Sequence, residues 1–280
     1  KVVLADNIAP LVDTGYSMPV EAMSALDVWT LAFLFGFQIY FDFSAYSHIA
    51  LGSARLMGIK FPENFNFPYL STSPKEFWRR WHISLSSWIR DYLYLPLAGI
   101  HVHDRSIGGL SHATIDKSKN KALFTTWMIM GLWHGANWTF VLWGVYHAIV
   151  IVIYRLLSPL TKSFSGTIKT VGGVFFTLPI MMLSWIPFRS ESLDVAINMW
   201  AKVFNPYLYG SLGMRENIYL ATAVILVGIF TTYWVKHKLI PSINPKSYLF
   251  ILGEVVTFTI IFSLVIVFFR PINQFIYFQF

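Results

Sequence analysis

Lys121-Ala-Leu-Phe-Thr-Thr-Trp127-Met-Ile-Met-Gly131-Leu-Trp-His134-Gly-Ala-Asn137-Trp-Thr-Phe-Val-Leu-Trp-Gly-Val-Tyr-His147-Ala-Ile-Val-Ile-Val-Ile-Tyr-Arg-Leu-Leu157 is one apolar run with a polar interruption at its middle. It is too long for a single membrane span of about 20 residues. The glycines divide it into two limbs, 121–134 and 137–157. At helical spacing Trp127, Gly131, His134 and Trp138 fall on one stripe, with Asn137 beside it. Gly131 and Gly135 leave room next to the imidazole for a partner helix or a substrate. An ionisable group at membrane depth is costly, and such groups mark functional sites. The competing reading is a histidine hydrogen-bonded between packed helices. Burial disfavours the imidazolium, so His134 is expected to be neutral near pH 7 with one nitrogen free to accept a proton.

The composition around this run agrees with a membrane setting. Of 280 residues 55% are hydrophobic and only 12% are charged, about half the charged share of a soluble domain. The 11 Trp and 14 Tyr suit interfacial belts. The net charge of +7 is carried by short loops between apolar runs. It therefore speaks for orientation and anionic lipid rather than for nucleic acid. The absence of Cys excludes disulfides, thiolate catalysis and palmitoylation. The chain begins at Lys1 with no Met and no signal-like apolar run, and a missing N-terminal part is expected.

Outward from the central run, residues 1–23 read as loop and short helix. Ser24 caps a long apolar helix, with Asp27 closing an acidic capping box, and the run continues to Met57. Asp42 and His48 inside it are expected to tie helices together. Pro62 to Tyr69 is a loop. Ser73-Pro-Lys-Glu76 then opens a helix with cap, proline at the first position and a capping-box glutamate. One helix is expected from there to about Pro96 and Gly99. Trp78, Trp81, Leu85, Trp88 and Tyr92 would form its apolar stripe, and Arg79, His82, Ser86 and Arg90 its polar one. That split fits a helix lying in the interface or dipping into a polar cavity. His82 by itself is most simply an interfacial side chain. Arg79 and Arg80 suit a phosphate or an anionic head group.

Residues 101–120 read as a polar loop. His101, His103 and His112 there give a metal-like spacing, but an exposed loop accounts for them better, and no metal is expected. Ile168 to Phe188 is a span carrying Pro179 and Pro187, whose freed carbonyls neighbouring helices must satisfy. Residues 190–215 read as a mixed-charge loop with a short helix. Asn217–Val235 and Tyr248–Phe269 are clean spans. His147 is expected to face away from His134 along a continuous helix and to be structural. Lys162–Lys169 and Lys236–Lys246 are basic without acids, which places those loops in the cytoplasm and the C-terminus outside.

Four motifs in order carry a resemblance. Phe61-Pro-Glu-Asn-Phe-Asn-Phe-Pro-Tyr69, Phe77-Trp-Arg-Arg-Trp-His-Ile-Ser-Leu-Ser-Ser-Trp88, Arg90-Asp-Tyr-Leu-Tyr94 and Gly131-Leu-Trp-His-Gly-Ala-Asn-Trp138 resemble the membrane-bound O-acyltransferase superfamily, most nearly its bacterial alginate O-acetyltransferase group. The ending Phe275-Ile-Tyr-Phe-Gln-Phe280 is similar too. Residues 1–280 would be a single membrane-embedded region matching the C-terminal part of a longer pattern. The resemblance implies an all-α polytopic helix bundle, with short interfacial or re-entrant helices around a central chamber, in the bacterial inner membrane. It implies His134 as catalytic histidine and His82 as the second motif histidine. Trp133, Asn137, Arg79, Arg80 and Asp91 join them as the expected substrate-binding group. Pro96–His101 departs from the family's paired glycines, which puts acceptor or partner contacts of that loop in question.

The implied chemistry is acetyl transfer from a cytoplasmic thioester, acetyl-CoA, with no tightly bound cofactor. The acyl group would pass towards a hydroxyl of an envelope polysaccharide such as alginate, with a periplasmic acetyltransferase partner finishing the transfer. D-alanyl transfer from a carrier protein is the nearest alternative. A proton-coupled transporter, with Asp42 or Glu254 pairing His134, and a non-catalytic membrane scaffold are readings from other classes.

Overall fold

The computed structural model describes residues 1–100, 117–160, 166–244 and 247–269. Among these every regular element is helical. In chain order they are α1 (Ala5–Tyr16), α2 (Ala25–Leu56), α3 (Pro74–Arg80), α4 (Ile83–Ile89), α5 (Leu95–Leu97), α6 (Lys117–His134), α7 (Trp138–Leu157), α8 (Gly166–Leu183), α9 (Trp185–Arg189), α10 (Leu193–Val203), α11 (Glu216–Trp234) and α12 (Tyr248–Val267). Among the described residues five segments are long and apolar enough to cross a membrane: α2, α7, α8 with α9, α11 with the turn after it, and α12 within Phe250–Val267. Helix α6, which opens with Lys117, Lys119 and Lys121, is not among them. The chain is an all-α, multi-pass membrane protein. Its contacts gather into two compact units, Lys1–His48 with the chain from Lys202 onward, and Ile49–Ala201.

In the first unit the expected cap of α2 is present in both directions. The Asp27 amide donates to Ser24 Oγ at 3.1 Å, and the Ser24 amide donates to Asp27 Oδ2 at 2.7 Å. Asp27 is fully buried and also accepts from the amides of Gly213 and Met214 and from the Tyr219 hydroxyl. A buried carboxylate needs that many donors to offset its lost hydration. Lys202 Nζ adds bonds to the carbonyls of Glu21 and Met23. The start of α2 and the segment before α11 are thus strapped together by polar contacts. Asp42 pairs with Lys1 at 2.7 Å. His48 corrects the expectation of a helix tie: it is exposed, and its Nδ1 lies 2.8 Å from the Ser44 carbonyl of its own helix.

The second unit departs from the sequence expectation at the polar helix. It is not continuous from Pro74: α3 stops at Arg80, and His82 takes a left-handed backbone (φ 41, ψ 58) before α4 starts. The loop before it explains the break. The Asn66 amide donates to the Arg80 carbonyl (3.0 Å), while the Ile83 amide donates to the Asn64 carbonyl (3.0 Å). Asn64 Oδ1 accepts from both the amide and the hydroxyl of Ser84. One loop therefore supplies the partners that a broken helix loses at both new ends. The Ser73 cap forms as expected, but Glu76 reaches Thr72 rather than Ser73 and pairs with Arg80 at 2.6 Å. After a π turn at Arg90–Tyr94, the segment closes on a Schellman motif. Ile100 N bonds to Leu95 O (2.9 Å), Gly99 N bonds to Pro96 O (3.0 Å), and Gly99 sits at φ +71.

The central run divides where the glycines indicated, α6 ending at His134 and α7 starting at Trp138. Asn137 caps α7, its side chain accepting from Thr139 N. The break corrects the expected stripe: Trp138 opens a new helix and is 72% exposed, so it does not continue the line of Trp127, Gly131 and His134. Helix α6 also starts earlier than expected, at Lys117. The two helices pack antiparallel and very closely. A Cβ on Gly131 would strike the Phe140 carbonyl, and one on Gly144 the Trp127 carbonyl. Small residues let two backbones approach this far.

The kinked pair α8–α9 follows the proline rule. Pro187 has no N–H for the Leu183 carbonyl, and Trp200 Nε1 donates to it instead at 3.0 Å. The Ile180 carbonyl, freed at the Ser184 kink, accepts the Tyr146 hydroxyl at 2.7 Å. This is the re-satisfaction by neighbours that a membrane helix requires.

Candidate active site

His134 ends α6 and keeps one side open, being half-buried rather than sealed. Its ring is bounded by aromatic side chains. Trp133 lies 4.9 Å away between ring centroids, Phe188 5.0 Å, Trp143 5.1 Å and Phe140 6.4 Å. The hairpin and the kink build this box together: α7 supplies Phe140 and Trp143, and α9 supplies Phe188. Trp185 of α9 then stacks toward Trp81 at 5.0 Å, and Trp81 is the residue before His82. So the break in α3–α4 and the break in α6–α7 meet across the α9 kink.

Both motif histidines are held uncharged. Burial pushes His82 down to about 4. Desolvation first, and then the nearby His82, push His134 down to about 3. A dry aromatic surround penalises an imidazolium, and two imidazoles within reach of each other penalise it further. The pair is therefore uncharged near neutral pH. The left-handed backbone at His82 is a strained conformation for a residue with a Cβ, costing about 1–2 kcal/mol. The Asn64 and Asn66 bonds hold it in place, and strain of this kind gathers at functional sites.

The other expected residues are placed as follows. Trp133 is 57% exposed and edges onto His134. Asn137 gives its Oδ1 to the helix cap, and its Nδ2 lies 3.5 Å from the Glu191 carbonyl. Arg80 is engaged by Glu76 and reaches the Asn66 carbonyl. Asp91 is engaged by its neighbour Arg90. Arg79 is exposed on α3. The His101, His103 and His112 spacing lies outside the described residues. Among the described residues no group of three metal-ligating side chains occurs. An apolar groove of about 500 Å3 lies beside Met128, Leu132, Asn137 and Trp138; His134 does not line it.

Sequence reasoning missed Trp143, Phe188 and the place of His147. The last was judged on a continuous helix. With the chain broken after His134, Trp143 stands between the two imidazoles, 5.1 Å from His134 and 4.7 Å from His147. His147 is buried, stacked on Trp127 at 5.0 Å and edged by Trp78 at 4.9 Å. Neither of its nitrogens has a hydrogen-bond partner among the described residues. The signal available was Gly144, which sits between Trp143 and His147 and marks the face of α7 that meets α6.

Comparison with known proteins places this arrangement. A model described as MBOAT, membrane-bound O-acyltransferase family, matches residues 17–188. A probable alginate O-acetylase from Azotobacter vinelandii is 42% identical over 240 residues, covering 84% of this chain and 45% of the relative. A peptidoglycan O-acetyltransferase from Helicobacter pylori is 36% identical over 199 residues, 71% of this chain and 35% of the relative. A teichoic acid D-alanyltransferase from Streptococcus thermophilus is 34% identical over 176 residues, 58% of this chain and 41% of the relative. The chain spans less than half the length of these relatives.

Proposed function

Because the chain belongs to the membrane-bound O-acyltransferase family, we propose that it works as an O-acyltransferase, moving acetyl from a thioester onto a hydroxyl of an envelope polysaccharide or of a periplasmic partner protein. The observation that carries this reading is the half-open, uncharged His134 at the end of α6, boxed by Trp143 and Phe188 and sharing its surroundings with His82. In this reading His134 takes the acceptor hydroxyl's proton as its oxygen attacks the thioester carbonyl. The tetrahedral intermediate collapses, the C–S bond breaks, and the proton leaves with the thiolate as thiol. His82 steadies the carbonyl oxygen or the acceptor. The aromatic walls keep water from hydrolysing the thioester. The protein sits in the bacterial inner membrane, with its basic Lys162–Lys169 and Lys236–Lys246 segments facing the cytoplasm, where acetyl-CoA is the donor.

The names of the relatives support acyl transfer in the envelope, and two of the three cited name an acetyl-transfer function. The transporter reading loses support at one of its two acids: Asp42 is engaged by Lys1. The test is His134→Ala in membranes with labelled acetyl-CoA. Loss of a general base costs about 10²–10⁴ in rate, so labelled product should fall at least a hundredfold at equal protein level. Unchanged transfer would end the proposal.

A further inference from the structure

Phe140, Trp143, Gly144 and His147 make one buried stripe along the face of α7 that meets α6, at the i, i+3, i+4, i+7 spacing of a helix. Phe140 and Trp143 bound the His134 ring. His147 stands one turn further on, 1% exposed, and the mechanism above gives it no task. Gly144 brings the two backbones together there, and the His147 ring stacks on Trp127 of α6 at 5.0 Å and 26°. Trp78 of α3 lies nearly perpendicular to it at 4.9 Å and 85°, and Trp143 at 4.7 Å and 75°.

A neutral imidazole carries one N–H donor and one acceptor nitrogen. Sealing both away without a partner costs free energy that an apolar side chain of similar bulk would not. Both nitrogens of His147 are buried without a hydrogen-bond partner among the described residues, and so are Nε1 of Trp78 and Nε1 of Trp143. Hydrogen bonding therefore does not account for the ring. What it does offer is a small flat plate. Contacts between rings fix their relative tilt, which an aliphatic side chain does not. The plate sets Trp143, and Trp143 in turn meets His134 at 5.1 Å and 84°. Imidazole, indole and imidazole thus stand in line, each nearly perpendicular to the next.

We propose that His147 is a positioning residue for the acyl transfer: through Trp143 it holds the dry wall against the His134 imidazole. The proposal rests on the acyl-transfer reading and gives a part in it to a ring that reaches no substrate. Among the described residues the titratable groups facing His134 are His82 at the α3–α4 break and, behind Trp143, His147; α9 meets it with Phe188. Desolvation is the larger cause that keeps His134 uncharged. A displaced Trp143 that admits water would let that ring take a proton more readily.

The test uses the whole protein in vesicles with His147→Leu and His147→Gln, which nearly keep the bulk of the imidazole and lose its plane. Transfer from acetyl-coenzyme A is followed from about pH 8 to about pH 5. The parent should hold its kcat across that range, because His134 is pushed down to about 3. Each variant should lose about tenfold or more in kcat at the alkaline end and keep KM within about twofold. Its kcat should then fall further on the acid side, as His134 titrates closer to its ordinary 6.5. Adding His147→Leu to Trp143→Phe should cost little beyond Trp143→Phe alone, because the two residues act as one unit. Unchanged rates, additive losses, or a lower kcat with no change on the acid side overturns the proposal. So does loss of both variants from the membrane, which would make the ring a support of the fold alone. Ring NMR of isotope-labelled histidine, with His134 assigned by its loss in His134→Ala, gives the same reading without turnover. A His134 signal that titrates in the variants of a parent transferring nothing would sink the acyl-transfer reading and leave the hold of His147 on His134 standing. Transfer by the parent, with that signal unmoved in the variants, would do the reverse.

Discussion

Two helix breaks bring the motif histidines into place, and they are built differently. The break after His134 is made by local sequence: α6 ends beside glycines, Asn137 caps α7, and Gly131 and Gly144 let the returning helix lie against the first. The break at His82 is made from a distance. Nothing in Arg80-Trp-His-Ile83 forbids a helix, and the periodicity across it is good. It exists because Asn64 and Asn66, in a loop far earlier in the chain, satisfy the open backbone on both sides. One junction is a self-contained hairpin; the other is a splice whose stability is borrowed from a loop. The lesson is that a histidine's environment can be fixed by bonds that contain no histidine atom.

The response to acid separates the two junctions from ordinary surface histidines and should be the largest effect. Burial lowers the folded affinity of His82 for a proton to about 4, while the unfolded chain binds one near 6.5. The unfolded state then binds more protons below that value, so the stabilisation is complete above about 6.5 and is lost as pH falls toward 4. Thermal unfolding in detergent should move to lower temperature across that window, and His82→Gln should flatten the dependence. A profile that His82→Gln leaves unaltered would mean that the imidazole is not desolvated.

Next in size is Asn64→Ala. It leaves the Ser84 amide and hydroxyl without their acceptor, a loss of about 2 kcal/mol, and it should lower acetyl transfer by loosening the turn at His82. Normal transfer with normal stability would show that the splice holds without it. Asn137→Ala removes a helix cap worth about 1 kcal/mol. Its thermal shift should be smaller than that of Asn64→Ala; the opposite order would invert the comparison. The smallest effect is His82→Gly, which relieves a left-handed residue. It should raise stability by a fraction of about 1 kcal/mol while transfer drops. A fall in stability would show that the imidazole's packing outweighs its backbone strain.

Much of this was readable from residues alone. The capping box at Ser24 and Asp27, the split of the long run, the proline-kinked span and the clean spans at α11 and α12 all rest on local chemistry: caps, glycines, prolines and unbroken apolar runs. The failures were of a different kind. The stripe through Trp138 and the facing of His147 assumed that a helix keeps its phase across Gly135, and it does not. The continuity of α3 and α4 failed because the competing partners lie in Asn64 and Asn66, and periodicity within a window carries no information about another segment's hydrogen bonds.

The bend between α8 and α9 carries a last implication. Its two stranded carbonyls are taken by the Trp200 indole and the Tyr146 phenol, from helices on either side. In hydrocarbon the Leu183 carbonyl has no water to fall back on and Pro187 offers it no N–H, so straightening the bend would break the Trp200 bond with no replacement. The elbow is clamped rather than hinged. The wall that Phe188 presents to His134 should therefore keep its shape when the surrounding bilayer thickens or thins.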